Sequence, residues 1–393
     1  MKILKVLYRN LKVSKVSTIF NFVGLITAFT VSILIMLYVW TEYHFDRYHK
    51  DANNIYRLEI KSPKKDKKSV YMMGQTKDVI KEQLSDVVAT TVYMPWGKWG
   101  ELLFEWETNG TKLKSYEDYA IADKHLTDVF TFDFIHSTGT APLSEPNTAI
   151  VSEAFAEKFW GTYDVLGNTF KISDEQYSVT GVFRTPPKSS LFNEPVILSF
   201  STSGWLTEAY KTWGIVNFPE FIKVKSDATV HELQSRINAI DILKEKYSFY
   251  DKNGEKAEII ARPLAELRFA KDVAENPLFN TNNKSSVNTL FGVGLFILII
   301  ALLNYVNFAT ATLPKRLKNM GVTRILGNSS RQIFVTSILE SVFVSVLSFF
   351  VALGLSMYIN QQFGVKLFEY LLNFQASAFV LILMLVVAIA VGV

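Results

Sequence analysis

Residues 19–40 read IFNFVGLITAFTVSILIMLYVW, an almost unbroken apolar run. As a helix rising about 1.5 Å per residue it is long enough to cross a hydrocarbon core roughly 30 Å thick. The run exceeds the length of a signal-peptide core and no small-residue cleavage site follows it, so it reads as an uncleaved anchor. Further apolar runs occupy residues 287–310, 333–358 and 376–393. The whole chain has a hydrophobic fraction of 49% and a mean hydropathy of +0.16, and these segments hold much of the excess. The chain is therefore a membrane protein with a large water-facing part between its first two spans.

Basic residues set the orientation, because cytoplasmic loops carry an excess of Lys and Arg. Lys2, Lys5, Arg9, Lys12 and Lys15 precede the first span, and Lys315, Arg316, Lys318, Arg324 and Arg331 follow the second without an acid among them. The next short loop holds Lys366 against Glu369. The expected layout is a cytoplasmic amphipathic segment at 1–17 and spans at 18–40, 287–313, 332–358 and 376–393. Residues 41–286 lie outside, 314–331 form a cytoplasmic segment beginning where Pro314 ends the second helix, and 359–375 form a short outside loop. The last span stops at Val393 with no polar residue after it, so the chain is expected to be the front part of a longer one.

The outside region shows matching flanks. IYRLEI at 55–60, a helix over 75–85 and a strand over 87–93 mirror EFIKVK at 220–225, a helix over 229–240 and a strand over 257–261. Val79, Ile80 and Leu84, like Leu233, Ile237 and Ile240, recur at helical spacing. The flanks, 41–99 and 216–286, form one α/β subdomain interrupted by a β-rich insertion at 100–215. In the insertion, 149–151, 169–172 and 177–183 read as strands, and Ser152 is the expected N-cap of a helix over 152–159. The fold class is an α-helical membrane protein of four transmembrane helices with an inserted α+β domain of two subdomains. The charge run at 61–68 (KSPKKDKK) reads as a solvated hairpin tip in preference to a lipid or nucleic-acid patch.

Chemistry is conspicuous by its limits. The chain has no cysteine and a net charge of +4, which excludes disulfides and thiol chemistry and gives no reason to invoke nucleic acid. No GxxxxGK[ST] occurs, so the chain builds no phosphate-cradling P-loop, and HExxH and GxSxG are also missing. His44 and His49 lie beside Asp46 and Asp51 just outside the first span. Helix capping and headgroup contact are preferred there over a metal site, and hairpin core is preferred over a binding lip for Trp96 and Trp99. Within the spans, Asn304, Asn307 and Glu340 are the informative polar residues, read as packing and hydrogen-bonding groups. Gly24, Gly292, Gly294 and Gly354 are expected to permit close helix contact.

Several stretches then resemble one family. EYHFDRYHKDANNIYRLEI (42–60), NTAIVSEAFAEKFWGTYDVLGNTFKI with YSVTGVFRTPPKSSLF (147–192), ARPLAEL (261–267), NYVNFATA (304–311) and MGVTRILGNSSRQIF with ILES (320–341) are similar, in order, to the MacB-like, FtsX-type permeases of the ATP-binding-cassette superfamily, Bacteroidetes-type members above all. The resemblance implies a multi-pass inner-membrane permease unit with a periplasmic core domain. It implies a separate cytoplasmic ATPase that binds ATP and magnesium, no cofactor on this chain, and a second permease unit, as a homodimer or as a second half of the same chain. A periplasmic adaptor or outer-membrane channel and membrane lipid complete the implied partners. The ATPase contact falls on Lys315, Arg316, Leu317, Lys318, Met320, Gly321, Arg324, Ile325, Leu326 and Gly327. Here the chain departs from the family pattern: Asn319 stands where an acid is usual, Thr323–Arg324 replaces Arg-Lys, and Asn328 replaces Ala. The implied work is export of a peptide, drug or lipid-linked molecule, or lipoprotein handling. The alternative is a non-transporting relay that senses a ligand or controls a periplasmic partner such as a cell-wall hydrolase.

Overall fold

The computed structural model describes residues 15–96, 101–108, 110–187, 190, 192–214, 216–225, 229–274, 281–325, 329–368, 372–374 and 377–392. The chain divides into a membrane unit, residues 1–43 with 284–393, and an outer unit, residues 44–283. Helix α1 (Lys15–Tyr43) precedes the outer unit, which holds α2 (Thr76–Gln83), α3 (Glu153–Trp160) and α4 (Val230–Ala239). The membrane unit resumes with α5 (Lys284–Ile325), α6 (Ser330–Phe368) and α7 (Ala378–Gly392).

Among the described residues, three helices are long and apolar enough to cross a membrane, within α1, α5 and α6. Helix α7 is apolar throughout and spans 15 described residues, so it is a shorter apolar helix outside those three. Both α5 and α6 pack on α1, and α7 packs on α6. Small groups mark the contacts. A Cβ on Gly294 would meet Ile35 Cγ2 at 2.9 Å, and Ser32 Oγ donates to the Gly294 carbonyl at 3.3 Å. Gly392 lies closer still, its hypothetical Cβ 2.4 Å from the Val342 Cα. By contrast, Gly24, Gly292 and Gly354 have nothing within 4 Å of that position, so of the four glycines singled out above only Gly294 makes a close helix contact within the chain.

Two helix boundaries differ from expectation. Helix α5 does not stop at Pro314 but runs unbroken for 42 residues to Ile325. Proline inside a helix forfeits one backbone hydrogen bond, yet its fixed φ is already helical. The flanking Leu, Lys, Arg and Met residues are strong helix formers that continue the turn on the far side. Helix α6 likewise extends through much of the expected outside loop, to Phe368. Asn360 closes the turn beyond it, its amide donating to the Leu372 carbonyl and accepting from the Leu372 N–H, each at 3.0 Å.

The outer unit is built on a sheet of thirteen strands among the described residues. These are β1 (Ile55–Lys61), β2 (Tyr71–Met73), β3 (Val87–Met94), β4 (Leu102–Thr108), β5 (Thr111–Glu117), β6 (Ala120–Ala122), β7 (Phe134–Ser137), β8 (Thr148–Ser152), β9 (Thr169–Ile172), β10 (Glu175–Phe183), β11 (Val196–Ser199), β12 (Val216–Val224) and β13 (Glu258–Pro263). The main order is β13-β1-β12-β3-β6-β11-β8-β10-β9-β4-β5, with β2 on β12 and β7 on β10. Alternation along β1 turns Tyr56, Leu58 and Ile60 into a core that also receives Ile80 of α2 and Leu233 and Ile237 of α4. A second core gathers Phe104, Val151, Phe155, Phe159 and Phe170. There α3 bridges the parallel pair β8 and β10, its first turn capped by Ser152, whose Oγ accepts the Phe155 N–H at 3.2 Å. Strand β3 belongs to both halves: its early residues pair with β12, and Tyr93 and Met94 pair with β6. The charge run beyond β1 turns back where Ile60 and Ser69 exchange backbone hydrogen bonds, as a hairpin tip requires.

Candidate functional site

The cytoplasmic contact residues fall on the last turns of α5. Lys315, Arg316, Leu317, Lys318, Met320, Gly321, Arg324 and Ile325 all lie within the helix, whereas Leu326 and Gly327 lie outside the described residues. Helical spacing brings Leu317, Gly321 and Arg324 to one side, with Ile325 next to them. Leu317 is 55% exposed and Ile325 88% exposed, and Gly321 and Arg324 are exposed as well. Large apolar side chains at the tip of a cationic helix present an interaction surface more readily than a core. The basic residues also have a local role: cations near a helix C-terminus oppose its negative dipole end, and Arg324 sits in the last turn. Asn304 and Asn307 are exposed on the same helix, higher up, and Glu340 is half-buried in α6.

A second constellation lies in the outer unit, formed by the residues that directly follow α1. His49 is not at a solvent or headgroup boundary, as its place in the sequence suggests, but 2% exposed. Its ring lies 5.2 Å from Phe130 and 5.3 Å from Phe192, and Nδ1 accepts the Thr131 N–H at 3.2 Å. Burial pushes its pKa down to about 3, so the ring is neutral at ordinary pH. Asp46, in a left-handed conformation with φ 56°, accepts from Ser190 Oγ at 2.7 Å. Ser190 Oγ lies 3.2 Å from Tyr48 Oη and accepts the Phe192 N–H at 2.9 Å. Tyr93, fully buried on β3, donates to Glu194; burial and the nearby carboxylate push its hydroxyl well above its usual pKa.

The chain leading to α5 is anchored beside it. The Arg268 guanidinium sits 4.3 Å from the Phe45 ring centroid, and the Arg268 carbonyl accepts the Asn282 N–H at 2.7 Å. On β1, the face opposite the core carries charge. Arg57 and Arg262 both donate to Glu59 Oε1, at 2.6 and 2.7 Å, and Arg262 forks onto Asp272 at 2.8 Å. Burial opposes the ionised Asp272 carboxylate, but hydrogen bonds from Lys68 and Arg262 hold its pKa down to about 2. Segments entering and leaving the outer unit are thus held by buried polar contacts, which are strong when complete and costly when broken.

Among the described residues no group of three or more His, Cys, Asp or Glu side chains is arranged to hold a metal ion. An open groove of about 650 Å³ along β4, β5 and β9 is lined by Trp106, Trp160, Glu105, Lys112, Lys171 and Gln176. Charges of both signs line it, and Lys114 pairs with Glu105 there. Trp96 is partly buried against the second core and against a smaller cluster of Val92, Met94, Phe200, Leu206, Ala209 and Phe218, and Trp99 lies outside the described residues. Local sequence did not point to Ser190, Tyr93 or Arg268, since their partners are remote in the chain. The only trace was Ser190's place within the family-like stretch 177–192.

Two family models match the chain. The model of the MacB-like periplasmic core domain matches residues 18–240, and that of the FtsX-like permease C-terminal region matches residues 291–393. No curated protein matches the chain. Among solved structures, a domain of a putative permease protein from Porphyromonas gingivalis is similar at 17% identity over 55% of this chain and 92% of that one, with a TM-score of 0.45. The periplasmic region of MacB from Actinobacillus actinomycetemcomitans follows at 11% identity over 53% and 89%, TM-score 0.36. The extracellular domain of the noncanonic ABC-type transporter YknZ from Gram-positive bacteria is similar at 13% identity over 53% and 100%, TM-score 0.33. With the first model covering more than half of the sequence and the second covering the membrane helices beyond it, the chain belongs to the MacB-like, FtsX-type permeases of ATP-binding-cassette systems.

Proposed function

We propose that this chain couples a separate cytoplasmic ATPase to work done by its outer unit, with α5 as the connecting lever. In this reading the N-terminus is cytoplasmic and α1, α5, α6 and α7 all cross the inner membrane. The outer unit faces the periplasm, and the permease operates as a pair of units. The partner binds ATP and magnesium, and the work is export or extrusion of a peptide, drug or lipid-linked substrate, or lipoprotein handling. One observation carries the reading. Helix α5 continues without a break from its apolar segment into a basic stretch that ends in exposed Leu317, Arg324 and Ile325. A stiff helix transmits force where a flexible loop dissipates it, and docking at its tip requires an exposed apolar and cationic surface.

The test is co-purification from native membranes. An ATPase recovered with the wild-type chain is expected to be lost from the double charge reversal R316E/R324E, with membrane insertion unchanged. Recovery of the ATPase with that variant at wild-type level would remove the docking assignment.

A further inference from the structure

The two halves of the outer unit meet at a charged junction. Lys77, in the first turn of α2, is buried, and its Nζ pairs with Asp78 Oδ1 at 3.0 Å and with Asp123 Oδ2 at 3.1 Å. Helix α2 packs on the core that holds β1 and β12, whereas Asp123 directly follows β6 in the other half. Residues between β11 and β12 reach the same place. Tyr210 Oη donates to Asp78 Oδ2 at 2.6 Å, and Gln75 Nε2 donates to the Lys211 carbonyl. A Cβ on Gly74 would lie 2.0 Å from the Tyr210 carbonyl oxygen, so backbone meets backbone there.

One carboxyl group in this junction is incomplete. Glu220 of β12 is fully buried; its Oε2 accepts the Lys77 N–H at 2.8 Å, while Oε1 has no partner among the described residues. Both Asp123 oxygens, by contrast, are engaged: Oδ1 accepts from Thr91 Oγ1 at 2.7 Å, and Oδ2 meets Lys77. Three carboxyl groups thus share one buried ammonium. A buried carboxylate with an unmatched oxygen is costly, and the group keeps a proton instead. Burial pushes the Glu220 pKa well above its ordinary value of 4.5, and Asp78 and Asp123 add to the rise against the pull of Lys77. For Lys77 burial opposes the charge, but Asp123, Asp78 and Glu220 hold the ammonium charged. The other groups facing Glu220 are Tyr210 and Tyr247, whose hydroxyls burial keeps neutral.

We propose that Lys77 is a proton-controlled latch between the two halves of the outer unit. With Glu220 protonated, the ammonium stays on Asp78 and Asp123 and fastens α2 to the end of β6. When Glu220 ionises, its open Oε1 competes for the same ammonium, and its new charge repels the Asp123 carboxylate across the junction. Both effects loosen the fastening. The fastened arrangement holds the proton, so it is favoured at low pH and is lost as pH rises from 4.5 through the raised Glu220 value. Buried His49 contributes the opposite sign, because it resists protonation. The latch lies wholly within the outer unit and does not depend on which partner drives the chain.

The chain contains no cysteine, so spin labels can be placed on α2 and α3 in full-length E82C/E157C, both sites being exposed. In lipid vesicles their distance distribution should be narrow at about pH 5 and shift to a longer, broader one at about pH 9, the range over which a buried Glu gives up its proton. On this background E220Q keeps the shape of the side chain but has no proton to lose, and should stay narrow at both. K77M should be broad already at the lower pH. D123N, which removes the other side of the bond, should behave alike and stands in if K77M does not fold. A wild-type distribution unchanged between the two pH values would overturn the latch. A shift that persists in E220Q would assign the proton to another group, and variants K77M and D123N that stay narrow would remove the ammonium as the fastener.

Discussion

At the residue scale, the contrast between Ser152 and His49 shows what local sequence can and cannot reveal. Ser152 precedes EAFAEKF, a helical pattern with an acid in its first turn, and its Oγ caps the helix as that pattern requires. A cap is a contact across three residues, so it is legible. His49 looks like a polar residue at a membrane boundary, yet Phe130, Thr131 and Phe192 enclose it. Those partners lie more than eighty residues away, and no periodicity announces them. Burial gives His49 a testable consequence. Its folded pKa of about 3 lies below the ordinary value of about 6.5, so only the unfolded chain gains a proton between those limits. Stability of the outer unit is therefore full above pH 6.5 and falls as pH drops toward 3, by at most about 1.4 kcal/mol per pH unit from this group. Amide exchange across residues 44–50 in the full chain should accelerate over that window, and H49Q should flatten the dependence. An unchanged profile in H49Q would assign the acid sensitivity elsewhere.

At the scale of elements, strands and outer-unit helices follow closely from alternation and helical spacing, because each buries one face against a core. Membrane helices are harder to read, since apolar residues surround them on every side and the pattern does not say which face packs. Glycines illustrate this. Gly24, Gly292, Gly294 and Gly354 look equivalent in sequence, but Gly294 alone of these touches a neighbouring helix, while Gly392, unremarked, touches one more closely. The two contacts should respond differently to substitution. A methyl at position 294 meets side-chain atoms, Ile35 Cγ2 at 2.9 Å and Met36 Cε at 3.1 Å, whereas at position 392 it meets the Val342 backbone at 2.4 Å. G294A should lower thermal stability in detergent, and G392A, which meets backbone, should lower it more. Equal effects would mean that α6 and α7 separate more easily than their contact indicates. Pro314 carries the same lesson from the other direction: a residue that ends most helices is tolerated here because helix formers flank it on both sides.

At the scale of the molecule, an outer unit with three hydrophobic clusters among the described residues is stitched by a shared strand, β3, and a membrane unit is tied together by α1. Contacts that hold the entry and exit of the outer unit, Asp46–Ser190 and Phe45–Arg268, lie in segments that follow α1 and precede α5 in the sequence. The missing P-loop and the basic stretch were both legible in the sequence and directed attention to a partner ATPase. The unbroken run of α5 was not legible, because continuity through Pro314 is a property of the folded helix. Its role can be tested directly with the permease and its ATPase in lipid vesicles, by inserting a short glycine stretch after residue 312 to uncouple the two ends of α5. The expected result is that the ATPase still co-purifies and still hydrolyses ATP. ATP should no longer change amide exchange at residues 44–50 and 264–274. An ATP-driven change at those segments that survives the insertion would contradict α5 as the route by which the outer unit is driven.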